Sequence, residues 1–64
     1  MSSELEIRER QKVYLKYLLN IKKANREANI PIVHLDEVIN IVLSGMNQED
    51  IAWVEKLSDI KAID

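Results

Sequence analysis

The apolar positions of this chain recur at helical spacing in three stretches, separated by two short breaks. From residue 3 to 28, Ile7, Tyr14, Leu18, Ile21 and Ala28 recur at helical spacing, nearly a seven-residue repeat, with Tyr17 and Ala24 beside them. Leu15 lies about a sixth of a turn and Leu19 a little over a quarter of a turn from Leu18 at 3.6 residues per turn. The apolar surface of this first segment is therefore wider than one facing helix needs. Two readings are open: a helix packed on two neighbours, or a helix with a second face for a partner.

The first segment carries its own start signal. Ser3-Glu4-Leu5-Glu6 has the form of a capping box, in which the serine hydroxyl takes an orphan amide near Glu6 and Glu6 reaches back. Glu4 and Glu6 also suit the positive end of the helix dipole. Asn29-Ile30-Pro31 ends it, because Pro31 lacks an amide hydrogen and pushes Ile30 toward an extended conformation.

The second stretch places Leu35, Val38, Ile39 and Val42 on one helical face, widened by Ile41 and Leu43. Its β-branched content leaves room for a short strand at residues 30–34. Asp36 and Glu37 suit a first turn, and Gly45 suits a left-handed position just past a helix end, so a helix from about Leu35 is preferred. Asn47-Gln48-Glu49-Asp50 then supplies a cap residue followed by acids. Trp53, Val54, Leu57 and Ile60 form the apolar face of the third segment, with Ile51 at its edge. The expected fold is all-α: a single helical domain over residues 1–64 with helices at about 3–28, 35–44 and 47–61. An antiparallel helix pair plus a third helix is expected, with a tight turn joining the second helix to the third and the packing order left open.

Composition supports this. One glycine and one proline among 64 residues favour long helices over a turn-rich β fold. A hydrophobic fraction of 47% is that of a globular chain. So short a chain buries only about 60% of the surface its unfolded form exposes. Disulfides are excluded by the absence of cysteine. A single histidine and no thiolates argue against a structural metal, so no metal and no cofactor are expected. That leaves tight packing or self-association, and a homodimer is expected. No apolar h-region follows the N-terminus and no apolar run reaches the roughly 18 residues of a membrane span, so the expected location is cytoplasmic.

Net charge is −2, but it is unevenly spread. Residues 1–29 carry seven basic and four acidic side chains, and residues 30–64 carry two basic and seven acidic ones. Such asymmetry can steer the two halves together, within one chain or between two.

Candidate chemistry is sparse. His34 is the one side chain whose ordinary pKa lies near neutrality, and no serine or cysteine arrangement accompanies it. The acidic pairs Asp36-Glu37 and Glu49-Asp50 sit at helix starts, where the dipole accounts for them. Gly45 is alone, so there is no glycine-rich phosphate loop. The chain reads as a non-enzyme with no catalytic residues and no small-molecule substrate.

Two resemblances bear on function. Gly45-Met46-Asn47 followed by Ile51-Ala52 resembles the turn and following helix of helix-turn-helix regulators, over about residues 37–52. Glu55 departs from that pattern, where an apolar packing residue is usual. A reading helix would have to follow Leu57, in a stretch with one basic residue, Lys61, against two acids. Asp50-Ile51-Ala52-Trp53-Val54-Glu55-Lys56-Leu57 resembles the Trp-Val helix of small bacterial antirepressors of the SinI kind, over about eight residues. That resemblance implies a helix pair that docks with a regulator's helices. Trp53 is then either a core anchor or an interface anchor.

The function expected from the sequence is a small regulatory or adaptor protein that binds protein partners, itself included, through helix faces. The expected surface is Tyr14, Leu15, Leu18, Leu19, Lys22 and Trp53. The alternative is a nucleic-acid-binding regulator using the basic first helix or a degenerate helix-turn-helix.

Overall fold

Each of the three expected segments is a helix. The computed structural model describes residues 3–63. In it α1 runs Glu4–Glu27, α2 Val33–Ser44 and α3 Gln48–Ser58, and the described residues contain no strand. The helix start read at Ser3 is in place: Ser3 Oγ accepts the Glu6 amide at 3.1 Å. At the other end of α1, Asn29 adopts a left-handed conformation (φ 60°), the Ile30 amide reaches back to the Asn25 carbonyl at 2.8 Å, and the Asn29 amide reaches Arg26. This is a Schellman closure with asparagine in the position glycine usually takes.

α2 begins at Val33, two residues earlier than the acids at 36 and 37 suggest. Residues 30–32 form the connection, and the Asp36 amide bonds the Ile32 carbonyl at 2.8 Å. Gly45 ends α2 at φ −102°, outside the left-handed region expected for it. A β-carbon there would meet Gln11 Nε2 at 3.5 Å, an ordinary contact, so the backbone does not require glycine. α3 starts after Asn47, as expected, although the Asn47 side chain makes no capping bond. It stops at Ser58, three residues early, because Asp59 turns left-handed (φ 55°) and the Ile60 amide closes on Glu55.

α2 runs antiparallel to α1, since Asp36 at its start meets Lys22 and Gly45 beyond its end meets Gln11. α3 runs the same way as α1, with Asp50 at Arg8 and Asp59 near Lys23. Both pack on α1 and scarcely touch one another. The core is Leu15, Leu18 and Leu19 of α1, Ile39 of α2, Val54 of α3 and Ala62 of the tail, flanked by Leu35, Val42, Leu43, Met46, Ile51 and Ile60.

This core corrects the sequence reading at several points. Leu15 and Leu19 are 0% exposed and Leu18 is buried with them, so the helix face assigned to a partner is the one that holds the subunit together. Lys22, expected at the same surface, is also 0% exposed. On α3 the buried positions are Asp50, Val54 and Ser58, whereas Trp53 and Leu57 lie half exposed. The helix is thus turned from the expected Trp53–Leu57 face. On α2, Val38 and Ile41 lie outside while Ile39 carries the contact.

Candidate functional site

Once α2 and α3 have covered one side of α1, its other side remains apolar. Val13 is 68% exposed, Tyr17 61%, and Tyr14 and Ile7 about half. At about 100° per residue, Ile7, Arg10, Tyr14 and Tyr17 step by three, four and three residues, as one helical seam does. Val13 lies on its flank. Glu9, Arg10, Val13, Tyr14 and Tyr17 line a shallow, open concavity along this face. Two of its five lining residues are tyrosines. Such rings give a large contact area and carry a polar hydroxyl that tolerates water when no partner is bound.

The inner and outer faces are kept apart by what pins the inner one. The Lys22 ammonium lies 2.8 Å from Asp36 Oδ1 and donates to the Ala62 carbonyl at 2.7 Å. Glu55 accepts the Ala62 amide at 2.7 Å, so residues 59–63 fold back against the end of α1. A buried ammonium is tolerated because both partners take up its charge. Near the start of α1, Arg8 grips Asp50 through two bonds of 3.0 and 2.9 Å. That bidentate bond, with the charge of Arg8 and Lys12 behind it, holds the Asp50 carboxyl below the usual aspartate range, against the opposing effect of burial. The same pair raises the Arg8 pKa. It also accounts for the rotation of α3, since Asp50 must turn toward α1 to be reached.

Of the six residues expected at a partner surface, the structure leaves Tyr14 and Trp53 accessible and takes Leu15, Leu18, Leu19 and Lys22 into the core. The two accessible ones do not share a face. Tyr14 belongs to the outer seam. Trp53 lies on the opposite flank of α1, with the Lys12 ammonium 4.9 Å from the ring centroid. Ile7, Arg10, Val13 and Tyr17 are the outer-face residues that the sequence reading left out of the surface. The seven-residue spacing of Ile7, Tyr14 and Ile21 was their signal, because it marks a second stripe distinct from Leu15 and Leu19.

The helix-turn-helix resemblance is not carried by the tertiary arrangement. α2 and α3 pack on α1 rather than on each other, and α3 is followed by no helix among the described residues. In the stretch resembling the antirepressor helix, Val54 is core and Trp53 is surface. Among the described residues, no helix is long and apolar enough to cross a membrane.

These features define an all-α protein of three helices with an apolar seam on the outside of the longest. No protein family model, curated protein or solved structure matches this chain.

Proposed function

We propose that this chain is a small non-enzymatic regulatory or adaptor protein that binds protein partners through the outward face of α1. The observation that carries this reading is the exposed run of Ile7, Val13, Tyr14 and Tyr17 along a helix whose opposite side already completes the core. A lone exposed apolar side chain is ordinary, whereas a continuous stripe of them marks an interaction surface. Rigid aromatic rings with few rotatable bonds are favoured anchors in such surfaces.

The basic character of α1 lends less to nucleic-acid binding than the sequence suggests. Arg8 is held by Asp50, Lys12 by Glu9 and Lys22 by Asp36, and Lys23 lies 4.0 Å from Asp59. Phosphate recognition needs such cations on an open face.

The test is affinity capture with the wild-type chain beside Tyr17→Glu. A protein partner retained by the wild type and lost by the variant, with unchanged helicity, supports the reading. Equal retention by both removes the outer face from it. Salt-sensitive retention on DNA, unaffected by Tyr17→Glu, would favour the nucleic-acid alternative.

A further inference from the structure

We infer that the occupant of the outer α1 face is a second copy of the same face, paired antiparallel about a two-fold axis near Val13 and Tyr14. The inference rests on the reading of this face as a binding surface and names its partner.

The outer face of α1 is self-complementary. Arg10 sits inside the apolar seam, between Ile7 and Tyr14, and has no ion-pair partner among the described residues. A parallel pair would stack each seam position on its own copy and so bring two Arg10 guanidiniums together. An antiparallel pair centred between residues 13 and 14 sets Arg10 opposite the partner's Tyr17, and the same contact recurs by symmetry on the other side. Arginine stacks readily on a tyrosine face, and the contact strengthens as water leaves. Val13 then meets the partner's Tyr14 at the centre, and Ile7 falls beside the partner's Ile21. On the flank beyond Val13, Glu9 lies within about one turn of the partner's Lys16, adding opposite charges at the rim. One patch thus holds both the cation and the ring that receives it, which is what an isologous two-fold contact requires.

The size of the patch sets the expected strength. Two partly exposed tyrosines with Ile7, Val13 and the Arg10 stem from each copy give a total buried area on the order of 1,000 Å², the lower end of specific interfaces. Contacts at this end of the range are those of weak, transient complexes, so association in the micromolar range is expected. The subunit core is closed without it, so association and folding are separable here.

Sedimentation equilibrium across the micromolar range tests the pairing, and single-cysteine variants test its direction, in a chain that has no cysteine of its own. The wild type is expected to be in monomer–dimer exchange, with dimerisation weakened at least tenfold by Tyr17→Glu while helicity and Tm stay at wild-type values. Val13→Cys is expected to form a disulfide-linked dimer under mild oxidation, and Ile7→Cys is not, because the two copies of residue 7 lie at opposite ends of the seam. A wild-type chain that remains monomeric throughout overturns self-pairing. A dimer unaffected by Tyr17→Glu overturns this face as its site. Efficient cross-linking of Ile7→Cys overturns the antiparallel direction. Should self-pairing fail while Tyr17→Glu still releases a different protein in the capture experiment, the binding reading stands and only its occupant changes.

Discussion

The two sides of α1 are both apolar, yet they are built differently. The inner side presents Leu15, Leu18 and Leu19, flexible aliphatic chains that pack with Ile39 and Val54 and are all buried. The outer side presents Tyr14 and Tyr17, broad rings with polar tips, with the aliphatic Ile7 and Val13 beside them. Aliphatic residues gain most by complete burial, whereas tyrosine tolerates a boundary between protein and water. The contrast teaches that a wide apolar helix need not be surplus in its greasiest part. On this helix the core took the leucines at 15, 18 and 19, while both tyrosines stayed outside together with the aliphatic Ile7 and Val13.

The largest expected effect lies on the inner side. Leu19→Ala, at a position with no exposed surface, is expected to cost about 3 kcal/mol, within the range for buried leucines. In a 64-residue chain of marginal stability this unfolds much of the population. Urea denaturation followed by circular dichroism measures it, and a cost below that of an outer-face substitution would invert the assignment of faces.

Next in size is the ion pair that closes the inner side. Asp36→Ala leaves the Lys22 ammonium with the Ala62 carbonyl alone. The expected cost is about 2 kcal/mol, less than for a fully buried pair because the carboxylate is partly exposed. Lys22→Met, which removes the charge and keeps the volume, is expected to cost less than Asp36→Ala. The reverse order would mean that the attraction, rather than the stranded charge, decides the outcome.

A gain is expected at Ser58, whose hydroxyl is buried without a hydrogen-bond partner among the described residues. Ser58→Ala is expected to raise stability by about 1 kcal/mol, the usual scale for an unsatisfied buried hydroxyl. A loss in thermal unfolding would show that the hydroxyl is satisfied in solution.

The Arg8–Asp50 pair sets the acid behaviour of the same side. Because the folded Asp50 carboxyl has a lowered pKa, its contribution is complete above the ordinary aspartate range. It is lost as the pH falls through that range toward the folded value. Unfolding followed against pH should show a steeper acid limb in the wild type than in Asp50→Asn; equal limbs would dissociate the pair from stability.

The smallest effect on folding is expected on the outer side. Tyr17→Ala should change subunit stability by no more than about 0.5 kcal/mol, measured on dilute protein, since the ring is mostly in water. A loss comparable to that of Leu19→Ala would erase the distinction between the two faces.

The three helices and their order follow from the sequence alone. The Ser3 cap, the break at Asn29-Pro31 and the Asn47 start are local signals, decided by hydrogen bonds and backbone sterics within a few residues. Which stripe of α1 faces inward is not a local property. Periodicity finds the apolar positions at Leu15 and Leu19 and those at Tyr14 and Tyr17 equally well, and both sets satisfy a helix. The choice depended on the other elements: Arg8 drawing Asp50 and α3 onto one flank, Lys22 holding Asp36 and α2 on the other, and the tail carrying Ala62 into the remaining gap. Arg8–Asp50 and Lys22–Ala62 join residues 42 and 40 positions apart, and Lys22–Asp36 joins two different helices, so the periodicity of a single segment contains none of them. The tertiary structure therefore turned the expected partner face inward and left the tyrosine seam outside.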